Sequence, residues 1–138
     1  MKLYEYQAKQ LLSEYHLAVP QGRVTDDPGN AAQIFAELGG NPVAVKAQVH
    51  AGGRGKGGGI KIAASEKECT DISATLIGSH LITPQTGKKG LPVREVWIEP
   101  AFPIGSEFYA GITLDRDARK LVFMVCSEGG VEIEQVAY

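Results

Sequence analysis

The chain has 138 residues, 43% of them apolar and 22% charged, with a formal net charge of −2. These proportions belong to one ordinary folded domain that buries about two thirds of its unfolded surface, and they exclude disordered and fibrous classes. The slightly acidic balance supplies no diffuse basic field for nucleic acid, so any anion site has to be built locally.

The opening residues Met1–Gln7 contain no apolar signal segment, and no run approaches the roughly 18 apolar residues of a membrane span. The expectation is a protein that stays where it is made, without membrane or nucleic-acid partners. Cys69 and Cys126 lie far apart with no CxxC spacing, so both are expected to be reduced core thiols.

Tyr4, Ala8, Leu11, Leu12 and Tyr15 recur at helical spacing and predict an amphipathic first helix that ends near His16, its apolar stripe docked on another element. Gly22–Val24 reads as a short strand. Asp27 and Pro28 then form a helix start, and Ala31, Ile34, Phe35 and Leu38 continue it to a left-handed cap at Gly39 and Gly40. From Val43 to Val49 the odd-numbered residues are apolar, so they face a core while Lys46 points to the opposite face.

A loop of six glycines, Arg54 and Lys56 follows over Ala51–Gly59, and Ile60–Ala63 alternates again as a second strand. Ser65 and Glu68 predict a capping box opening a third helix, whose buried stripe is Cys69, Ile72, Ser73 and Leu76. From Gly78 to Val93 the composition turns to Gly, Pro, Thr and Lys, and Gly87–Gly90 marks a turn or exposed loop. Val96–Glu99 predicts a strand stopped by Pro100, and Phe108–Leu114 predicts another. Asp115–Lys120 is a solvated hairpin turn leading to Leu121–Cys126, an unbroken apolar run expected to be a strand buried on both faces. The fold class is mixed α and β.

The glycine loop is the informative feature. Glycine is at a disadvantage of roughly 0.5–1 kcal/mol against alanine in regular structure, so a cluster of it needs a special backbone path or a close ligand. Bare N–H groups beside two cations suit phosphate oxygens. Gly53, Gly55 and Gly58 match GxGxxG, but the dinucleotide fingerprint needs a helix where Ile60–Ala63 reads as a strand. A Walker A loop needs Ser or Thr after Gly55-Lys56, and Gly57 stands there. Kinase catalytic motifs are absent. What remains is a glycine hairpin acting as a lid, with Lys46 on the strand beneath it. His16, His50 and His80 show no metal-ligand spacing and read as surface or packing residues, and Glu99 and Glu107 taken alone read as solvated carboxylates.

Three segments carry a resemblance: Tyr4–Lys9, Val45–Lys56 and Ser127–Glu134 are similar to the N-terminal part of succinyl-CoA synthetase β subunits. Malate-CoA ligases share the first two, and the third points to succinate. The resemblance implies an α+β, ATP-grasp fold. In it, 1–138 is the N-terminal part of the domain, about 21–101 a small nucleotide-lid subdomain, and 1–20 with 102–138 part of the larger subdomain.

The implied activity is an acid-thiol ligase of the tricarboxylic acid cycle that interconverts succinyl-CoA, ADP and phosphate with succinate, CoA and ATP. The phosphohistidine intermediate belongs to a partner α subunit, in a heterodimer or heterotetramer, which agrees with the absence of a catalytic histidine among His16, His50 and His80, and no catalytic residue is assigned to this chain. Lys46 is then a nucleotide-phosphate lysine, Gly53, Arg54 and Gly55 cover the phosphates, and Glu99, Phe102 and Glu107 contact the nucleotide. Pro20 stands where GTP-preferring members carry glutamine, which favours adenine. The family's Mg²⁺ ligands are expected outside this chain, and the 138 residues alone are expected to be inactive. The implied location is the cytoplasm, or in a eukaryote the mitochondrial matrix, although no transit peptide is seen. The alternatives are a malate-CoA ligase β subunit and a non-catalytic nucleotide or anion-binding module.

Overall fold

A computed structural model describes residues 2–129. Its elements run α1 (Glu5–Glu14), β1 (Arg23–Thr25), a 3₁₀ turn (Pro28–Asn30), α2 (Ala31–Glu37), β2 (Val43–Ala47), β3 (Ile60–Ala63), α3 (Glu66–Leu76), β4 (His80–Leu81), β5 (Leu91–Pro92), β6 (Val96–Pro100), β7 (Tyr109–Asp115) and β8 (Lys120–Cys126). The chain divides into two compact units, Met1–Ala101 and Phe102–Tyr138.

In the first unit an antiparallel sheet has the order β1-β6-β2-β3. Strand alternation sends Val43, Val45 and Ala47 of β2, with Val96 and Ile98 of β6, to one face, where Ala31, Ile34 and Phe35 of α2 and Cys69 and Leu76 of α3 pack on them. The helix start expected at Asp27 and Pro28 opens the 3₁₀ turn instead, and α2 follows from Ala31: Asp27 Oδ1 accepts from the Gly29 N–H at 2.8 Å, and Pro28 occupies the first position of the turn. α2 ends with Gly39 and Gly40 at φ 96° and 65°, the Gly40 N–H donating to the Phe35 carbonyl at 3.2 Å. At α3 the Ser65 hydroxyl caps the Glu68 N–H at 3.2 Å. The Glu68 carboxylate reaches the Ala64 N–H at 2.7 Å, one residue beyond the reciprocal bond that a capping box predicts.

Helix α1 departs from the sequence reading. It has no buried residue, and Leu11, Leu12 and Tyr15 are exposed, so its apolar stripe is not what docks it among the described residues. Its polar face does, through Glu5 and Lys9. Gly87–Gly90 is a turn as expected, the Gly90 N–H donating to the Gly87 carbonyl at 3.2 Å; around it β4 pairs with β5, and Leu81, Thr83 and Val93 are buried.

The second unit is the β7–β8 hairpin, in register from Tyr109 opposite Cys126 to Asp115 opposite Lys120. Asp115 Oδ1 accepts from the Asp117 and Ala118 N–H groups at 3.0 and 2.9 Å, which closes the turn. The expectation that 121–126 is buried on both faces is corrected: Leu121, Phe123 and Val125 are 75%, 66% and 67% exposed. A two-stranded ribbon supplies no second layer to cover either face. Cys126 is accordingly only half-buried, and of the two thiols only Cys69 is a core residue. Gly129 lies so close to the Glu107–Phe108 backbone that a Cβ would stand 2.7 Å from it. Of the Ser127–Glu134 motif, residues 130–134 lie outside the described residues.

Candidate functional site

The sheet face opposite the core carries Lys46 on β2 and Trp97 and Glu99 on β6. Lys46 stands directly across from Trp97, and Glu99, two residues further, shares that face. Lys46 Nζ donates to Glu99 Oε1 at 2.6 Å, and Trp97 Nε1 donates to Glu99 Oε2 at 2.6 Å. Helix α1 is held to this face by alternating charge. Glu5 Oε1 accepts from Lys46 at 3.2 Å and from Lys9, one turn along, at 3.0 Å. Glu5 Oε2 accepts from Arg54, and Lys9 also donates to Glu99 Oε2.

Three cations thus face two carboxylates, leaving the cluster one positive charge. Burial by itself pushes the Glu5 carboxyl up, but the Arg54, Lys46 and Lys9 charges outweigh it and hold its pKa at about 2. The Glu99 carboxyl is raised by burial and lowered further by Lys46, Lys9 and Trp97, with the net shift downward. Desolvation lowers the Lys46 ammonium, and Glu99 and Glu5 raise it past its ordinary value.

The glycine loop is a compact turn. The Gly57 N–H donates to the Gly53 carbonyl at 3.1 Å and the Gly59 N–H to the Arg54 carbonyl at 2.8 Å. It rests on the segment after β4. Gln85 Oε1 accepts from the Gly52 N–H at 2.8 Å, and a Cβ at Gly57 would lie 2.4 Å from the Ile82 carbonyl oxygen. Gly53 adopts φ 71°, a conformation that glycine takes without strain. The turn sends Arg54 back over the sheet, where one guanidinium nitrogen donates to the Ala47 carbonyl at 2.8 Å and the other to Glu5.

Beside the cluster, Lys9, Ser13, Pro20, Gln21 and Trp97 line a cleft of about 450 Å³. The chemistry available here is anion binding. Glu5 and Glu99 are ionised and already accept charged donors, and burial raises the Cys69 thiol to about 11, so neither carboxylate serves as a base and the thiol stays neutral. Among the described residues no group of three or more His, Cys, Asp or Glu side chains could hold a metal ion.

Of the expected site residues, Lys46, Arg54 and Glu99 converge in one cluster, with Gly53 and Gly55 flanking Arg54 in the loop. Phe102 and Glu107 belong to the second unit, where both are exposed, and the Glu107 carbonyl accepts from the Gly129 N–H at 3.0 Å. Sequence reasoning missed Glu5, Lys9 and Trp97. The Glu5–Lys9 spacing of four residues places an acid and a base on one helix face but does not mark that face as docked. His50 packs against Tyr4, with ring centroids 4.1 Å apart, in keeping with its reading as a packing residue.

The profile of the ATP-grasp domain matches residues 2–138. The chain belongs to the ATP-grasp family. It is 50% identical over its whole length to the succinate–CoA ligase [ADP-forming] β subunits of Laribacter hongkongensis and Francisella tularensis subsp. holarctica. It spans 36% of the length of those curated relatives. Solved ATP-grasp structures share the fold. The dinucleotide-forming acetyl-coenzyme A synthetase 1 of Candidatus Korarchaeum cryptofilum superposes with a TM-score of 0.73 at 22% identity, over 99% of this chain and 57% of that one. Phosphoribosylamine–glycine ligase of Thermotoga maritima gives 0.57 at 19% identity, over 88% of this chain and 27% of that one. The expected α+β ATP-grasp fold is therefore correct, the chain covering an N-terminal part of it.

Proposed function

We propose that this chain is the nucleotide-phosphate-binding part of the β subunit of an ADP-forming succinate–CoA ligase. The complete enzyme would interconvert succinyl-CoA, ADP and phosphate with succinate, CoA and ATP, the phosphoryl group travelling on a histidine of an α subunit. The observation that carries the site is the Glu5 carboxylate: its two oxygens take donors from Lys46 and Arg54 together, so both cations reach one two-oxygen anion. Gathered there, the two cations present charge suited to phosphate oxygens.

Lys46 and Arg54 would hold nucleotide phosphates under the glycine turn, with Glu99 beside them. Both Glu99 oxygens already accept donors, and one lone-pair position is left over for a sugar hydroxyl or an adenine amino group. The cleft at Pro20 and Trp97 offers space next to that carboxylate for the rest of the nucleoside. Bound ADP or ATP would supply the transferable phosphoryl group, and the chain's residues supply charge and orientation. The succinate assignment is supported by the names of relatives at 50% identity. A partner α subunit is supported by their description as β subunits and by the phosphohistidine segment named for the Korarchaeum enzyme. A cytoplasmic location, Mg²⁺ ligands in the remaining length of the subunit, and a place in the tricarboxylic acid cycle complete the reading. Coupled assays of the natural full-length chain with its α partner test it. Succinate-dependent CoA consumption with ATP is expected, and consumption with malate in place of succinate would overturn it.

A further inference from the structure

We infer that Glu5, on the first turn of α1, is a positioning residue that holds Lys46 and Arg54 aimed at the nucleotide phosphates. This rests on the phosphate reading of those two cations. Glu5 is the anion that Lys46 and Arg54 share: Oε1 accepts from Lys46 at 3.2 Å, and Oε2 accepts from Arg54. The Arg54 guanidinium also donates to the neutral Ala47 carbonyl, at 2.8 Å. Two of the three Lys46 ammonium protons go to Glu5 and Glu99, which fixes the direction of the third.

Without the Glu5 charge, Lys9, Lys46 and Arg54 would face Glu99 alone. Their mutual repulsion would drive the long side chains apart and into solvent. An ion pair between a helix carboxylate and a strand lysine does comparable work in protein kinases, where it places the lysine on the nucleotide phosphates.

The geometry favours positioning over a stand-in that phosphate would displace, because α1 is fastened on both sides of Glu5. Tyr4 stacks on His50 with centroids 4.1 Å apart and rings 2° from parallel, and Tyr6 stacks on Trp97 at 6.1 Å and 16°. The Tyr6 N–H donates to the buried Gln48 side chain at 3.4 Å. With the helix start fixed, the carboxylate can leave the two cations only by a change of its own rotamer, which gives up both charge-assisted bonds. The position of α1 therefore sets the aim of the two phosphate cations.

Calorimetric titration of the natural full-length chain with ADP, and separately with adenosine, tests this on Glu5→Gln, Glu5→Asp, Lys46→Ala and the Glu5→Gln/Lys46→Ala double variant. The expected result is an ADP affinity about tenfold lower in Glu5→Gln, intermediate in Glu5→Asp, and unchanged adenosine affinity in both. The Glu5→Gln penalty should shrink when Lys46 is already alanine, because the two residues act as a unit. Should Glu5→Gln fail to fold, the Asp variant carries the comparison of ADP with adenosine. An ADP affinity that is unchanged or raised in the Glu5 variants while Lys46→Ala weakens it overturns the inference and leaves the phosphate site standing. Equal losses for ADP and adenosine overturn it as well, since they mark a merely structural role. Unchanged ADP affinity in Lys46→Ala removes the phosphate reading itself.

Discussion

Lys46 and Glu99 meet across neighbouring antiparallel strands, Nζ to Oε1 at 2.6 Å, with the Glu99 side chain only 5% exposed. A pair this enclosed is costly to break from one side, because the remaining charges lose their counterion without regaining water. Glu99→Gln leaves Lys46 and Lys9 underpaired and should destabilise the first unit by about 3 kcal/mol. Denaturant unfolding followed by the fluorescence of Trp97, the single tryptophan of the sequence, reads this directly.

The acid limb of stability should carry the signature of Glu5. Its folded pKa of about 2 lies below the ordinary 4.5, so its contribution is complete above pH 4.5 and is lost as pH falls through about 2. Glu99, also lowered, acts in the same direction, whereas Lys46, raised above 10.5, loses its contribution only as pH rises past that raised value. Thermal melting from pH 5 to pH 2 should show a falling midpoint, with a shallower fall in Glu5→Gln.

Two glycines of the loop should behave differently. A Cβ at Gly57 would meet the Ile82 carbonyl oxygen at 2.4 Å, whereas one at Gly55 would meet nothing within 4 Å. Gly57→Ala should therefore push the loop off the segment after β4 and cost about 1–3 kcal/mol. Gly55→Ala should stay within about 0.5 kcal/mol of the native chain. Differential scanning calorimetry of the two variants checks the contrast.

What was legible in the sequence followed local periods. The alternation of Val43–Val49 put Lys46 on the face opposite the core, and the strand from Ile60 made the glycine loop a link between strands, as the β2–β3 pairing bears out. The ion-pair cluster was not legible, because Glu5 meets Lys46 and Arg54 across 41 and 49 residues of chain. No pattern within α1 distinguishes a docked polar face from a solvated one. The Leu121–Cys126 run was misread because period cannot separate a strand covered on both faces from one whose covering layer lies elsewhere. Pairings as short as His80–Leu81 with Leu91–Pro92 leave no period to detect, which hid the support beneath the glycine loop.

The central claim is that Lys46 and Arg54 form a nucleotide-phosphate site. Isothermal titration of the natural full-length chain with ADP, comparing it with Lys46→Ala and Arg54→Ala, tests that claim most directly. Each substitution should lower affinity by at least about tenfold; affinities equal to that of the native chain in both variants would contradict the phosphate site.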